Sequence, residues 1–444
     1  MRIVVIGAGL AGLWCADALR KRGHRPLLLE ARPDVGGRVR SARDGDGRVI
    51  YEQGPWRIPE QHARVLALCR RLQIRLVPLK TPTVKPPKEP KVVSGLSMWD
   101  VGAATSKSVA TADAQDLATG YAGQTRAASG SSPYTATGSS KFFVAPEGFD
   151  QITTKLAHSI QPQLDTRVHD LVREDGAYTV HAAQRQGSRF TALSLRADAV
   201  FVCVPPSQSA RWRAMQAHAQ PVLDAVEPGC LNHVYARGSV GAVHAKTASG
   251  LLQQTIGDQY DGGWFQASYS SGKVAEFWFR LFLSAREAAV ALLSTLLGFQ
   301  ASQPRVHFWR EAYHHWRAAP GFRLREAVLK AIQPHPFSLP QLYMCGEAFS
   351  SHQAWMEGAL ETAELATDAF LKRTRPRRRS RRKDEICYDG RLIDVSEFKA
   401  VHPGSLEAIS NHLLDSDVKP LMDHIGHSHF AKTILFYLQR GWKK

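Results

Sequence analysis

The sequence predicts an α/β fold that is built on a parallel sheet and is joined to an α+β domain and to a small C-terminal α+β domain. Three observations predict it. The chain opens on an apolar run with four β-branched residues, and a glycine-rich turn and a helical apolar pattern follow at once. Apolar and aromatic runs of strand and helix length follow one another over residues 207–330. A basic segment, 372–383, separates the last part of the chain, 387–444, from the rest.

The N-terminal turn has the spacing of a βαβ unit that binds a dinucleotide. Gly7, Gly9 and Gly12 form a Gly-x-Gly-x-x-Gly pattern after the first strand. The first glycine allows the tight turn, the second lets the backbone approach a pyrophosphate, and the third lets the helix pack on the strand. A second short strand, Leu27–Leu29, leads into Glu30, which can accept hydrogen bonds from ribose hydroxyls. The helix N-terminus adds a partial positive charge, so the unit is predicted to be a Rossmann-type domain.

Two more glycines and two arginines directly follow the second strand. Arg32, Gly36, Gly37 and Arg38 stand where the backbone can approach the same pyrophosphate a second time, which a nicotinamide site does not need. In the words LLLEARPDVGGRV the sequence resembles the flavin-containing amine oxidase superfamily. The resemblance implies a GR2-like FAD-binding domain with Arg32, Gly37 and Arg38 among the cofactor contacts. No cysteine is positioned as in the covalent-flavin oxidases, so the FAD is expected to be noncovalent.

The next stretch, YEQGPWRIP, resembles the L-amino-acid oxidases in particular. In that family a glycine loop lies beside the flavin ring, and an arginine binds the substrate α-carboxylate. Carried onto this chain, the loop is Gly54, Pro55 and Trp56, and the arginine is Arg57. A planar guanidinium suits the role because it offers two parallel donors to a carboxylate. The alternative is that Arg57 pairs with the flavin or with a neighbouring acid. We interpret His62 as a surface residue at the start of a helix.

Residues 80–140 are proline-rich at first and then small and polar, with almost no large aliphatic side chain. Such a segment lacks apolar surface to bury, so we predict a disordered insertion or a loosely held loop. In amine oxidases this region normally contains helices of the substrate domain. Their weakness here is the chief departure from the family, and it leaves the identity of the substrate open.

The FAD-binding domain is predicted to resume at 141–206, where an alternating strand contains Val168. In the family the matching residue contacts the adenine through its backbone. A substrate domain is predicted over 207–330. Its expected elements are strands at Asn232–Arg237, Gly263–Tyr269 and Lys273–Leu283 and a helix at Ala285–Leu297. Many superfamily members place a lysine near flavin N5 in the first of these strands, and this sequence has none there. Either another residue orders the water that the lysine would bridge, or oxidation is impaired.

A second flavin motif is predicted to close the FAD-binding domain over 331–371. A short strand ends in Gly346 and Glu347, and a long helix begins near Trp355 and Met356. In the family the glutamate binds the ribityl or ribose side, and the helix N-terminus stabilises the negative charge that reduction places on the flavin. L-amino-acid oxidases have a tryptophan where oxidases of simple amines usually have a tyrosine. Trp355 is therefore a candidate catalytic residue with Arg57, and simple packing is the alternative.

The formal charge of +17 is concentrated in one segment. Residues 372–383, KRTRPRRRSRRK, hold nine Lys and Arg and no acid. Like charges repel and nothing apolar is available to bury, so we predict a solvated linker over 372–386. A nuclear-localisation or polyanion-binding segment is the alternative. The six cysteines lie far apart in sequence, which indicates neither a disulfide framework nor a zinc site.

The C-terminal unit, 387–444, resembles cytochrome b5 in the words HPG and GHS. The resemblance implies a haem b whose iron is ligated from both faces by His402 and His427, a state that suits electron transfer. Two solvent-facing histidines in a helical tail are the alternative. His424 and His429 are alternative second ligands.

Together these resemblances imply FAD-dependent oxidation of an amine, and of an L-amino acid above all, to an imine, with electrons passed to oxygen or to the haem domain. The alternatives are a polyamine or monoamine oxidase, a desaturase of the same fold, or a non-catalytic flavin and haem scaffold. No apolar stretch reaches the roughly 18 residues that span a bilayer, and the N-terminus lacks the sections of a signal peptide, so we expect a cytoplasmic or nuclear protein. The predicted boundaries are 1–79, 141–206 and 331–371 for the FAD-binding domain, 80–140 for the insertion, 207–330 for the substrate domain, 372–386 for the linker and 387–444 for the haem domain.

Overall fold

The computed structural model describes residues 1–79, 141–238, 245–246, 251–317, 322–374, 385–388, 391–395 and 418–419. The chain divides into two compact units. One contains Met1–Pro334 and Tyr343–Ala366, and the other contains His335–Leu342 and Thr367–Lys444. The insertion predicted at 80–140, the basic segment beyond residue 374 and both predicted haem ligands, His402 and His427, lie outside the described residues.

The secondary structure alternates between helices and short strands. The helices are α1 (Leu10–Lys21), α2 (Ala63–Arg71), α3 (Asp150–Ile160), α4 (Pro206–Ser209), α5 (Arg213–His218), α6 (Gln220–Leu223), α7 (Gly272–Ser284), α8 (Arg286–Leu297), α9 (Leu324–Ile332) and α10 (Met356–Thr374), with a 3-10 turn at Glu347–Phe349. The strands are β1 (Ile3–Ile6), β2 (Leu27–Leu29), β3 (Ser41–Arg43), β4 (Val49–Glu52), β5 (Ile58–Pro59), β6 (Val77–Pro78), β7 (Phe142–Val144), β8 (Thr166–Glu174), β9 (Ala177–Gln186), β10 (Arg189–Ala197), β11 (Ala199–Val202), β12 (Val226–Arg237), β13 (Ala245–Lys246), β14 (Gln254–Thr255), β15 (Trp264–Ser271), β16 (Ser302–Trp316), β17 (Leu342–Met344), β18 (Glu385–Tyr388) and β19 (Arg391–Asp394).

The parallel sheet positions the first glycine turn. Its strand order is β17-β11-β1-β2, and β1 pairs in parallel with both β11 and β2. Every residue of β1 and β11 is buried, as expected for a parallel sheet that is covered on both faces. The carboxyl ends of these strands meet at one edge, which is where sheets of this kind bind ligands. The predicted strand, turn, helix and second strand at the N-terminus are confirmed.

The substrate-domain region contains an antiparallel sheet in the order β15-β12-β16. Helices α7 and α8 cover one of its faces, and their buried side chains form a core with the sheet. Val234 of β12, Phe265 of β15, Trp278 of α7 and Leu293 of α8 belong to this core. The strands predicted at Asn232–Arg237 and Gly263–Tyr269 lie within this sheet, as predicted.

The strand predicted at Lys273–Leu283 was wrong, because this segment is helix α7. Its buried residues Val274, Ala275, Trp278 and Phe282 recur at helical spacing and face the sheet. The density of aromatic side chains is typical of strands, and it outweighed this periodicity in the sequence prediction. Helix α8 follows almost where a helix was predicted.

In the second unit, β18 and β19 form an antiparallel hairpin in which the buried residues Ile386 and Ile393 are register partners. None of the helices in the described parts of the chain combines the length and the apolar character that crossing a bilayer requires.

Candidate active site

The first glycine turn leaves open space where a pyrophosphate would lie. Gly7 adopts a φ of +100°, which L side chains rarely adopt, and a Cβ added at Gly12 would lie 1.9 Å from the Gly7 carbonyl oxygen. A Cβ added at Gly9 meets no atom within 4 Å. Gly9 precedes α1, and no acidic side chain lies in the first turn of that helix to compete for its N–H groups. The turn therefore fits the diphosphate of a dinucleotide.

The acid predicted to bind ribose lies beside this turn. Glu30 is 9% exposed, and its carboxylate accepts hydrogen bonds from the backbone N–H of Ala8 (2.7 Å) and of Arg32 (3.0 Å). The Thr166 N–H donates to the Glu30 carbonyl oxygen (2.7 Å), so the start of β8, the strand of Val168, lies next to it. The structure therefore brings Glu30 close to the start of the strand that contains Val168.

The second glycine pair lies against the first turn. Gly36 forms a β-bridge with Gly9 and donates its N–H to the Ala8 carbonyl oxygen (2.9 Å). A Cβ added at Gly37 would lie 3.5 Å from the Gly9 Cα. The two backbone segments are therefore close enough to enclose one pyrophosphate. The side chain of Arg32 is about half exposed and pairs with Asp34.

Glu347 is engaged by protein donors on both of its oxygens. Oε1 accepts from Arg38 Nη1 (2.8 Å) and lies 2.7 Å from His314 Nδ1. Oε2 accepts from the backbone N–H of His314 (3.3 Å) and of Ala354 (2.8 Å). Burial alone would raise the pKa of Glu347, but the charges of Arg38 and His314 outweigh it and hold the pKa at about 2.

This arrangement joins the two flavin motifs predicted from sequence. Arg38 follows the second glycine pair, and Glu347 follows Gly346, which has a φ of +137°. The sequence reasoning missed His314 as the partner of Glu347. The four residues from Tyr313 to Trp316 are all buried, so alternation along the strand gave no signal for His314, and nothing in the stretch indicated which acid it would meet.

The loop from Gly54 to Arg57 lies directly on the segment that carries Arg38. A Cβ added at Gly54 would lie 1.9 Å from the Arg38 carbonyl oxygen. Trp56 is buried, and the half-buried guanidinium of Arg57 lies over its ring at 4.5 Å and over the ring of Phe142 at 4.4 Å. Within the described residues no side chain or backbone group hydrogen-bonds to that guanidinium or forms an ion pair with it.

The guanidinium of Arg57 remains positively charged although it lies between two aromatic rings. Burial lowers the pKa of its guanidinium to about 10, and the charge of Tyr269 opposes that shift. The site therefore holds a cation at neutral pH between two aromatic faces, without an internal counter-ion among the described residues. This disfavours the alternative in which Arg57 pairs with a neighbouring acid of the protein.

Trp355 lies just before α10 and contacts His62, which precedes α2. Its ring packs edge-on against His62 with ring centroids 4.9 Å apart. The interpretation of His62 as a surface residue was wrong, because it is 2% exposed. Burial lowers the pKa of His62 to about 3, so its imidazole is neutral. Met356, which is also buried, begins α10 as predicted.

An aromatic face of the antiparallel sheet lies beside the Arg57 loop. Tyr269 packs edge-on to Trp56 (6.5 Å) and to His233 (5.0 Å). His233 is fully buried, and burial lowers its pKa to about 3. Its Nδ1 lies 3.0 Å from Gln266 Nε2, and none of the described residues hydrogen-bonds to its Nε2. His233 belongs to the strand segment where many amine oxidases place a lysine, and Lys273 lies in the first turn of α7.

A buried carboxyl group, Glu52, precedes the glycine loop. Oε1 accepts from the Phe149 N–H (2.9 Å) and from the Tyr260 hydroxyl (3.0 Å), and Oε2 accepts from the Ser41 hydroxyl (2.8 Å). Burial raises its pKa to about 8, although the three hydrogen bonds lower it. Burial therefore favours the neutral form of the Glu52 carboxyl group. The residue packs beside Tyr235, whose hydroxyl donates to the Glu52 carbonyl oxygen (2.5 Å).

The chain is similar to known proteins in part of its sequence and in its fold. A family model described as flavin containing amine oxidoreductase matches residues 10–92. Structurally, a putrescine oxidase redesigned in its cofactor binding shares the fold with a TM-score of 0.61 and 14% identity, over 84% of this chain and 99% of that chain. The chain therefore shares its fold with that oxidase.

Sequence similarity to L-amino acid oxidases covers a short part of the chain. The L-amino acid oxidase of Cerastes cerastes is 41% identical over 75 residues, and that of Bungarus fasciatus is 43% identical over 74 residues. Each match covers 17% of this chain and 14% of the relative. The chain thus matches about a seventh of the length of these curated relatives.

Proposed function

We propose that this protein is an FAD-dependent oxidase that converts an L-amino acid to an imine, which water hydrolyses to a keto acid and ammonia. The observation that carries the proposal is the guanidinium of Arg57, which has aromatic neighbours on two sides and no anionic partner among the described residues. A carboxylate supplied by the substrate would complete this site with two parallel hydrogen bonds. The similarity of the N-terminal segment to L-amino-acid oxidases supports the same substrate class.

The fit of FAD rests on this chain's own backbone. The open space at Gly9, the close approach of Gly37 and the free N–H groups at the start of α1 suit a pyrophosphate. The bound cofactor would supply a hydride acceptor at flavin N5. The start of α10 near Trp355 and Met356 is the group that would stabilise negative charge at the pyrimidine end.

The pocket residues would act on the substrate by binding and desolvation. Arg57 would hold the carboxylate, and Tyr269, Trp56 and Trp355 would exclude water from the reacting carbon. Burial favours the neutral form of an amine, which is the form that can be oxidised. The strand β12 has no lysine, but within the described residues it carries buried polar atoms without a hydrogen-bond partner, the Nε2 of His233 and the amide of Asn232, and either could order a water.

Anaerobic mixing of the FAD-loaded protein with amino acids and with simple amines tests the activity. We expect L-amino acids to bleach the flavin absorbance, and amines without a carboxylate to bleach it far more slowly. Faster bleaching by polyamines or monoamines would favour the alternative oxidases of the same fold. Full flavin absorbance with every compound would contradict the proposal.

A redox scaffold without catalysis is the second candidate function, and the absence of a lysine from β12 favours it. The atypical composition of residues 80–140 points the same way. The anaerobic experiment separates the two, because a scaffold would retain oxidised flavin with every compound tested.

The electron acceptor would be oxygen or a haem b in the C-terminal unit, 387–444. The support for the haem is the sequence pattern around His402 and His427, which lie outside the described residues. We expect the purified protein to show a Soret band beside the flavin bands, and expect both His402→Ala and His427→Ala to lose it while keeping the flavin spectrum. His218→Ala, at the end of α5, is the control. A wild-type protein that takes up no added haem would contradict the assignment.

We also propose a cytoplasmic or nuclear location for the protein and a contact with a polyanion through residues 372–383.

A further inference from the structure

Three cysteines that are far apart in sequence meet at one edge of the parallel sheet. Cys15 lies on α1, Cys203 directly follows β11, and Cys345 directly follows β17. Their sulfur atoms all lie within 4.8 Å of one another, and the Sγ atoms of Cys15 and Cys345 are 3.8 Å apart. Sequence spacing indicated no zinc site, because it carries no information on which strand ends become neighbours in the sheet.

Backbone pairing fixes two of these positions. The Cys203 N–H donates to the Ile6 carbonyl oxygen, and the Cys345 N–H donates to the Val202 carbonyl oxygen, both at 2.9 Å. Cys15 reaches them from the helix that packs on the same edge. Cys15 and Cys345 are fully buried, and Cys203 is half-buried. The cluster is therefore held by three separate elements, and Cys203 is its most exposed member.

The spacing of the sulfur atoms matches a thiolate metal site. A zinc–sulfur bond of about 2.3 Å at tetrahedral angles places neighbouring sulfur atoms about 3.8 Å apart, and a planar three-coordinate site places them about 4.0 Å apart. The Cys15–Cys345 distance equals the first value, and the remaining distances need shifts of less than about 1 Å.

We propose that Cys15, Cys203 and Cys345 form a three-thiolate site for a soft d¹⁰ cation, Zn²⁺ or Cu⁺. Thiolate ligands select such cations, and the absence of carboxylate and imidazole from the cluster disfavours hard cations such as Mg²⁺ and Ca²⁺. Zn²⁺ would need a fourth, lighter ligand such as a water, whereas Cu⁺ is satisfied by three sulfur atoms. Binding displaces the thiol protons, and the contact of the Cys15 thiol with the Ala363 carbonyl oxygen is lost.

The test uses the full-length chain, reduced and stripped of metal, and then equilibrated with Zn²⁺ or, without oxygen, with Cu⁺. We expect one equivalent to remain bound, and X-ray absorption to report three sulfur neighbours at about 2.3 Å. A fourth, lighter neighbour distinguishes Zn²⁺ from three-coordinate Cu⁺. Cys203→Ser is expected to weaken binding by at least about 100-fold. Cys69→Ser is the matched control, because Cys69 is buried on α2 outside the cluster and its loss should leave the affinity unchanged.

Several results would overturn the proposal. One is a wild type that retains less than about 0.1 equivalent of Zn²⁺ and less than about 0.1 equivalent of Cu⁺. A second is a bound metal without sulfur neighbours. A third is equal metal affinity in the wild type and in Cys203→Ser. A disulfide between Cys15 and Cys345 in the protein purified without reductant, still formed in the presence of Zn²⁺, would also overturn it. The X-ray absorption spectrum of the wild type shows whether sulfur binds the metal even if Cys203→Ser fails to fold.

Discussion

Replacing Arg57 by alanine is expected to lower kcat/KM for L-amino acids by roughly 10²- to 10³-fold. The guanidinium is the cation between Trp56 and Phe142 that would pair with the substrate carboxylate, and truncating one partner of a desolvated charge pair leaves the other charge uncompensated. Amines without a carboxylate should lose only a few-fold. Steady-state kinetics with L-phenylalanine and phenethylamine, which differ only in the carboxylate, measure the two effects.

Two further variants separate charge from geometry at this position. Arg57→Lys keeps the charge but loses the planar pair of donors, so its activity should lie between that of the wild type and that of the alanine variant. Arg237→Ala is the matched control, because Arg237 also lies over an aromatic ring, that of Trp264 (5.3 Å), but is exposed. An Arg57→Ala protein with wild-type kcat/KM on amino acids would remove the carboxylate argument.

Replacing Glu52 by glutamine is expected to change how stability depends on pH. Burial raises the pKa of Glu52 to about 8 in the folded protein, whereas an unfolded glutamate has a pKa near 4.5. The stability that the protonated carboxyl contributes is fully present below pH 4.5 and is lost as the pH rises through 8. The wild type should thus lose about 4 kcal/mol from this group between those limits, and the glutamine variant should not.

Urea unfolding of both proteins at pH 5 and pH 9 gives the change in the free energy of unfolding between the two pH values. The change in the glutamine variant is subtracted from the change in the wild type, so that the other titrating groups cancel. Glu174→Gln is the control, because Glu174 lies exposed at the end of β8. We expect the control to follow the wild type at both pH values. A glutamine variant whose free energy of unfolding stays parallel to that of the wild type would show that Glu52 is ionised in the folded protein.

Local backbone rules made the first turn predictable. Gly7, Gly9 and Gly12 stand where the chain needs a positive φ, an open approach and close helix packing, and each requirement acts within a few residues. Segment α7 was mispredicted because its aromatic content is typical of strands, while the sheet that buries Trp278 and Phe282 comes from distant parts of the chain.

The partners of the site residues could not be predicted in the same way. Glu347 meets Arg38 and His314, and His62 is buried by Trp355, through contacts between segments that only the tertiary fold brings together. The sequence predicted the glycine and arginine positions as candidate contacts because these residues stand in recognisable motifs. It did not identify neutral, buried histidines, whose role depends on what surrounds them.

We expect the first glycine turn to hold the pyrophosphate of FAD. Titrating FAD into the cofactor-free protein tests this, with Gly9→Val as the comparison variant. Valine suits this position because a Cβ added at Gly9 meets no protein atom within 4 Å, and because the backbone there has a φ of −74°, which valine adopts. We expect the wild type to take up one FAD per chain, and Gly9→Val to bind at least about 100-fold more weakly while melting at the same temperature without FAD. A wild type that stays colourless, or a Gly9→Val variant that binds FAD equally well, would contradict the account.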